Sequence, residues 1–265
     1  MSFANDGLID NAVRHAGTPP KIEAAEVEIL DADQIAAALD ALSGSRLYPI
    51  AVLALASGAR RGELLALRWQ NVDLERAIIK IEHSLEQTKA GLRFKSPKSK
   101  YGRRSISLPP SAVAMLYRHR KEQLEIRMAL GMGKPDADAL VFCNHDGTPI
   151  SPNSRSVTWG ATIKQAGLPD VTFHALRHTH ASALIAGKLD VVKISRRLGH
   201  SSPVITLSTY AHMFDNEDYG AAAAPSRRCW VKPPVPIGCQ FWLCAPKKAQ
   251  VPWLSALRSP ILGID

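Results

Sequence analysis

An almost unbroken apolar segment, RLYPIAVLALASG (46–58), places the strongest constraint on how this chain folds. It is shorter than the roughly 20 residues that a membrane-spanning helix needs, so the rest of the protein must bury it. Its length and its end at Gly58 predict a helix at the centre of a hydrophobic core. No apolar run in the chain is long enough to span a membrane, and the N-terminus lacks the pattern of a signal peptide. A soluble, cytoplasmic protein is expected.

Further helices are predicted where apolar residues recur at helical spacing. The first begins at Asp31, with Gln34 three residues later as in a capping box. Others are predicted in RRGELLALRW, SAVAMLYRHRKEQLEIRMALG, SPNSRSVTWGATIKQAG, FHALRHTHASALIAG, DVVKISRRLG and PVITLSTYAHMF. RAIIKIEHSL, GLRFKSP and RRSISLP are rich in β-branched residues and predict one small antiparallel sheet, and LVFC predicts a short strand. The expected fold class is mainly α with a small antiparallel β-sheet (α+β).

The two ends of the chain differ from its centre. Residues 1–26 contain Thr18-Pro19-Pro20, which breaks a helix, and are interpreted as the end of a preceding segment and a linker. Residues 222–265 hold seven prolines, three tryptophans and three cysteines, with neither helical nor strand periodicity. We expect a single domain over 27–221. Our hypothesis for the atypical tail is a frameshift or a fused reading frame.

The charge of the chain points to an anionic partner. The formal net charge is +9, and the segment from Lys89 to Arg104 holds seven Lys/Arg and no acid. Such a run is either a solvated hairpin or a place that holds a phosphate backbone. The candidate DNA-binding residues are Lys89, Arg93, Lys95, Lys100, Arg103 and Arg104. The four cysteines form no CxxC pair, so no disulfide framework is expected.

Four short segments carry chemistry: SGARRGELLALRW, SPKSKYGRRSISLP, HALRHTH and LGHSSPVITLSTYAH. Cleavage of a phosphodiester without a metal needs guanidinium forks on the non-bridging oxygens, a nucleophile in line, a base and an acid. Arg60 follows the break at Gly58, where a helix begins and its N–H groups favour anions. His174 and Arg177 lie three apart on one predicted helix and therefore share a face. His200 ends a helix, and Tyr210 follows ten residues later.

In this order, the segments resemble the tyrosine recombinases of the phage integrase family. The family pattern T-G-x-R-x-x-E appears as Ser57-Gly58-Ala59-Arg60 followed by Glu63, and H-x-L-R-H appears as His174 to His178. L-G-H-S-S begins at Leu198, and TYAH surrounds Tyr210. The resemblance covers about residues 27–214. It implies the catalytic-domain fold of that family.

Residue by residue, the resemblance implies six catalytic positions: Arg60, Lys98, His174, Arg177, His200 and Tyr210. The two arginines clamp the scissile phosphate, and His200 donates a hydrogen bond to one of its oxygens. His174 accepts or relays the proton of Tyr210, which forms a 3′-phosphotyrosyl bond. Lys98 protonates the leaving 5′-hydroxyl, although Lys95 or Lys100 also fits this role. Glu63 supports the fold or orients Arg60.

The resemblance also implies the partners. Double-stranded DNA is the substrate, the complete enzyme is a homo-tetramer on DNA, and no metal or other cofactor is needed. Members of the family carry a core-binding domain before the catalytic domain, of which residues 1–26 retain only a remnant. Integration, excision, transposition and chromosome resolution all stay open as the natural task.

Four alternatives remain. His174 and His178 are spaced for a zinc ion, but no Glu follows the first His and no Cys or Asp completes the site. The segment DVVKISRRLGHSSPVITLSTYAHM also resembles a helix-turn-helix without chemistry, which leaves Arg60 and Arg177 unexplained. A type IB topoisomerase shares the mechanism, but these motif forms favour the integrases. The last alternative is a truncated, inactive recombinase.

Overall fold

A computed structural model describes residues 27–96 and 102–214. The preceding segment 1–26, the tail 222–265, and the predicted site residues Lys98 and Lys100 lie outside the described residues. Predictions that concern them therefore remain predictions.

The described residues are mainly helical. The helices are α1 (Ala32–Ala41), α2 (Tyr48–Ser57), α3 (Arg61–Leu65), α4 (Pro110–Ala129), α5 (Pro152–Gln165), α6 (Ala175–Ala186), α7 (Val191–Leu198) and α8 (Pro203–Tyr210). The strands are β1 (Val72–Asp73), β2 (Ile78–Ile81), β3 (Ser84–Thr88), β4 (Gly91–Lys95) and β5 (Arg104–Ser107). The predicted fold class is confirmed, and the capping box of Asp31 and Gln34 opens α1 as expected. In the part of the chain that is described, no helix has the length and hydropathy to cross a bilayer.

Helix α2 forms the centre of the core, as its sequence predicts. Every residue from Ile50 to Ser57 is buried, because α1, α3, α4 and α6 all pack around it. Gly58 ends the helix in the left-handed conformation at φ 65°. A side chain there would strain the backbone, and its Cβ would collide with Cδ2 of His180. The chain therefore turns sharply at Gly58, and Arg60 lies near His174 at the start of α6.

The β structure forms two sheets, so the prediction of one small sheet was wrong. One sheet has the antiparallel order β1-β2-β5, and β3 pairs with β4 alone as a separate hairpin. The short turn between Thr88 and Gly91 favours this local pairing, with Gly91 at φ 118°. The predicted strand LVFC is also absent as a strand: it contributes only isolated bridges, from Leu140 and Cys143.

Only the first half of helix α4 buries apolar side chains in the core. Ala112, Met115 and Leu116 in that half are buried, whereas Ile126 and Met128 in the second half are exposed.

The last three helices pack around a small second core. Its buried members are Ala181, Ile185, Ile194, Leu198 and Tyr210, contributed by α6, α7 and α8. Gly199 ends α7 in the left-handed conformation at φ 70°, and Ser202 caps α8. The candidate site lies where this core meets the turn after α2, because Arg177 on α6 contacts both.

Candidate active site

Arg177 is the buried centre of the site. Only 3% of its surface is exposed, and its guanidinium donates to two carbonyl oxygens, those of Gly58 at 2.7 Å and Leu198 at 2.8 Å. These carbonyls belong to residues at the C-terminal ends of α2 and α7, so one side chain connects the two helices. Burial, together with the nearby positive charge of Arg60, lowers the pKa of Arg177 to about 9. A guanidinium has five N–H groups, so two carbonyls leave further donors for a ligand.

Arg60 lies on the same side of α7 and is more open. Its guanidinium donates to the carbonyl oxygen of Gly199 at 3.3 Å and to Oε1 of Glu63 at 3.0 Å. Its side chain keeps 42% of its surface exposed. The backbone N–H of Arg60 donates to Oε2 of Glu63 at 2.8 Å, so this N–H is not available to an anion. The exposed part of Arg60 that could reach an anion is its guanidinium.

Glu63 binds both Arg60 and Arg104, and its ion pair with Arg104 is buried. Arg104 donates from Nη2 to Oε2 at 2.7 Å and from Nη1 to Oε1 at 3.1 Å, and both side chains are 7% exposed. Its Nε also donates to the carbonyl oxygen of Arg197 at 2.7 Å. These contacts occupy most of the N–H groups of the Arg104 guanidinium, so the prediction that Arg104 contacts DNA gains no support from them and stays a prediction. The bonds of Arg104 to Glu63 help to hold the carboxylate that also binds Arg60.

The other members of the basic segment are differently placed. Lys89, Arg93 and Arg103 are exposed, the first two on the β3–β4 hairpin. Lys95 is partly buried and pairs with Glu86 across the hairpin at 3.1 Å.

Two predicted histidines lie within the positive field of the arginines. His174 precedes α6 and keeps solvent contact, whereas His200 follows Gly199 and hydrogen-bonds through Nδ1 with Oγ1 of Thr206 at 2.8 Å. Desolvation, followed by the charges of neighbouring cationic groups that include Arg177 and Arg60, lowers the pKa of each ring to about 4. Both rings are therefore neutral at pH 7. A bound anion would raise both pKa values.

Tyr210 contacts His178 rather than His174. Its hydroxyl lies 2.7 Å from Nδ1 of His178, and its side chain is almost fully buried. Burial raises the pKa of Tyr210 to about 12, against the opposing effect of Arg177. The ring of His174 lies edge-on against that of His178, with centroids 4.7 Å apart. His174 therefore packs against His178, while the direct hydrogen bond to Tyr210 belongs to His178.

Two contributors were not predicted from the sequence. His178 was noted as part of the H-x-L-R-H pattern and as a possible zinc ligand but was given no catalytic role, although a residue one turn after His174 had to share its face. Arg197 was not predicted either; it donates from Nε to Nε2 of the buried His180 at 3.0 Å and from Nη2 to the carbonyl of Ala56 at 3.1 Å. No local motif marks Arg197, because its partners are distant in sequence.

The assembled site has a surplus of positive charge. Arg60 and Arg104 pair with the carboxylate of Glu63, Arg177 lies within the field of the same carboxylate, and Arg197 adds a further positive charge near Arg104. Such a cluster, partly shielded from water, is stabilised by an anion. Within residues 27–96 and 102–214, no group of three or more His, Cys, Asp or Glu is arranged to hold a metal ion. The arrangement suits a phosphate ligand and a tyrosine nucleophile.

The turn at Gly199 gives a direct test of this packing. We expect Gly199→Ala to lower the free energy of unfolding by about 2–4 kcal/mol, combining left-handed strain with disruption of the ion pair. The new Cβ would lie 2.6 Å from Nη1 of Arg104, which Glu63 holds in place. Gly131→Ala is the matched control, since its φ is 69° and nothing lies within 4 Å of its added Cβ. Urea unfolding measures the loss of stability in each variant. Equal losses in Gly199→Ala and Gly131→Ala would contradict the role of Arg104.

The family comparison agrees with this geometry. The model of the phage integrase family matches residues 28–217. A tyrosine recombinase XerC-like protein of Caldanaerobacter subterraneus is 31% identical over 216 residues, which cover 77% of this chain and 55% of that protein. The ICEBs1 integrase of Bacillus subtilis is 29% identical over 178 residues, which cover 67% of this chain and 47% of that protein. The chain belongs to the phage integrase family, and it spans about half the length of these relatives.

Solved structures show the same fold. The integrase of the Tn1549 transposon, in complex with a circular intermediate DNA, matches with a TM-score of 0.64 at 22% identity, over 78% of this chain and 66% of that one. The XerA recombinase matches with a TM-score of 0.56 at 23% identity, over 76% of this chain and 66% of that one. The expected catalytic-domain fold is thus confirmed.

Proposed function

We propose that this chain is the catalytic domain of a site-specific tyrosine recombinase that cuts and rejoins double-stranded DNA. One observation carries the proposal: the hydroxyl of Tyr210 lies 2.7 Å from Nδ1 of His178, and Arg177, which is near enough to lower the pKa of Tyr210, forms no ion pair with a carboxylate among the described residues. A nucleophile, a base and a cation for the phosphate are therefore adjacent. The names of the relatives and structural neighbours, recombinases and integrases, support the same activity.

The proposed reaction is a transesterification. Arg60 and Arg177 bind the non-bridging oxygens of the scissile phosphate, and His200 donates a hydrogen bond to one of them. Tyr210 attacks the phosphorus and leaves a 3′-phosphotyrosyl bond, which retains the energy needed for rejoining. His174 remains our candidate for relaying the proton of Tyr210, and its ring packs against that of His178. Lys98 remains our candidate for the acid that protonates the leaving 5′-oxygen.

DNA binding is proposed to extend over the hairpin. Lys89, Arg93 and Arg103 are exposed and basic, as contacts to a phosphate backbone require. Complete members of the proposed class act as homo-tetramers with a core-binding domain, and we propose the same for the whole enzyme. The reaction requires no metal or cofactor, because the arginines provide the positive charge. The cytoplasm, where bacterial or phage DNA lies, is the proposed location.

A DNA-binding module without chemistry is the weaker candidate. It gives no reason for Arg177 to be buried near the hydroxyl of Tyr210, since a buried guanidinium is costly unless hydrogen bonds and a counter-ion compensate it, and a scissile phosphate would provide that counter-ion. A truncated and inactive recombinase would retain this geometry, and only a measurement of activity distinguishes it.

The test is a covalent adduct between protein and DNA. Purified protein is incubated with fragmented genomic DNA of the source organism, denatured in SDS, digested, and analysed by mass spectrometry. We expect a nucleotide-modified peptide that contains Tyr210, because the phosphotyrosyl bond survives SDS. A modification at another residue would contradict the assignment. Absence of any adduct, with DNA binding intact, would favour the module without chemistry or the inactive remnant.

A further inference from the structure

We propose that His178 is a catalytic residue that accepts the phenolic proton of Tyr210 during attack on the phosphate. This inference rests on the proposed function and adds to it a named proton acceptor. His178 lies next to Arg177 in the chain, but its ring points to the nucleophile rather than to the helix-end carbonyls that Arg177 binds.

The contact is held from both sides. His178 lies on α6 and Tyr210 ends α8, and the two rings approach with centroids 5.7 Å apart at 60°. The second core, formed by α6, α7 and α8, buries Tyr210 and so fixes the direction of its hydroxyl. The distance of 2.7 Å between the oxygen and Nδ1 is that of a well-formed hydrogen bond. Proton transfer therefore needs no rearrangement of either helix.

The surroundings of His178 keep its ring ready to accept a proton. The ionisable groups that face it are His174 and Arg177 from α6 and the phenol of Tyr210 from α8. Burial and the charge of Arg177 lower its pKa, so the ring is neutral at pH 7. A phenol is a poor acceptor and a good donor, which favours the tautomer with Nδ1 unprotonated and the proton on Nε2.

The proposed step balances as follows. The O–H bond of Tyr210 breaks and its proton moves to Nδ1 of His178, while the phenolic oxygen forms a bond to phosphorus. The P–O5′ bond breaks at the same time, and the leaving 5′-oxygen takes a proton from the general acid, for which Lys98 is our candidate. Transfer occurs as the O–P bond forms, because bonding to phosphorus makes the phenol strongly acidic. Rejoining reverses each change, and His178 returns the proton to Tyr210.

Single-turnover rates of adduct formation with the genomic fragments test this assignment across pH. His178→Gln keeps an oxygen that can accept a hydrogen bond from Tyr210 but cannot take up its proton. We expect it to be about 10²–10⁴-fold slower at pH 7, with a deficit that shrinks as pH rises. The wild-type rate should fall at low pH, where His178 is protonated, and His178→Gln should lose this dependence.

His174→Gln is the matched control, one helical turn away on α6. It should retain the low-pH decline if His178 is the acceptor, because the contact with Tyr210 is intact. A His178→Gln rate within threefold of wild type, with the same pH profile, would overturn the proposal. The proposal would also be overturned if His174→Gln lost the decline in rate at low pH while His178→Gln retained it. If the wild-type protein forms no adduct, the proposed function fails, and the catalytic role of His178 fails with it.

A second measurement tests the contact without any reaction. In the DNA-free protein labelled with ¹⁵N-histidine, we expect the His178 ring to be the Nε2–H tautomer at pH 7. The His178→Gln spectrum identifies its signals, and Tyr210→Phe should shift Nδ1 because the hydroxyl is removed. A ring with the proton on Nδ1 would show that His178 donates to Tyr210, and the proposal would then be wrong even in a protein that cleaves DNA.

Discussion

Tyr210→Phe is expected to abolish the covalent adduct while leaving DNA binding within about twofold of wild type. The substitution removes only the nucleophilic oxygen, and the phenyl ring keeps its place in the buried core of α6, α7 and α8. Loss of the hydrogen bond to His178 should lower the free energy of unfolding by about 1 kcal/mol. Adduct yield on SDS gels, DNA binding by fluorescence anisotropy and urea unfolding measure the three effects.

Tyr117→Phe is the control for this prediction. Tyr117 lies on α4 with 51% of its surface exposed, so loss of its hydroxyl should change none of the three measurements. Adduct formation that persists in Tyr210→Phe would remove Tyr210 from its role. Loss of both adduct and DNA binding would instead indicate that Tyr210 is needed to maintain the site.

Glu63→Gln is expected to cost about 3–5 kcal/mol of stability at pH 7, since it leaves two guanidinium groups without their carboxylate. Arg104 is buried beside Glu63, and Arg60 pairs with the same carboxylate. Burial raises the pKa of Glu63, but the hydrogen bonds and charges of Arg104 and Arg60 outweigh it, so the net pKa lies below the usual value. Urea unfolding of both proteins measures the difference.

The pH dependence of this difference has a defined sign. A carboxyl group with a lowered folded pKa stabilises the protein above its unfolded pKa, which is about 4.3 for Glu, and the effect is lost as pH falls through the folded value. The two proteins should therefore approach each other in stability below about pH 4. Glu86→Gln is the control, because its pair with Lys95 is more than a third exposed and should contribute less than about 1 kcal/mol. A difference that persists unchanged at low pH would contradict an ionic role for Glu63.

Local patterns were sufficient to predict most of the helices. The apolar segment ending at Gly58, the capping box at Asp31, and the glycine that ends α7 each act within a few residues. The division of the strands into two sheets was not predictable in this way. It depends on which strands pair across the chain, as β2 does with β5, and single-strand composition carries no information on pairing.

The order and spacing of Arg60, Arg177 and Tyr210 in the sequence indicated the family and the expected chemistry. The tertiary structure alone decided which groups meet. Arg104 belongs to a basic run that looks like a DNA contact, yet Glu63, 41 residues away, binds it in a buried pair. His178 shares a helical turn with His174, yet the packing of α8 brings Tyr210 to His178, 32 residues away. Sequence spacing fixes which residues share a helix face, whereas hydrogen-bond partners from distant segments depend on how the helices pack.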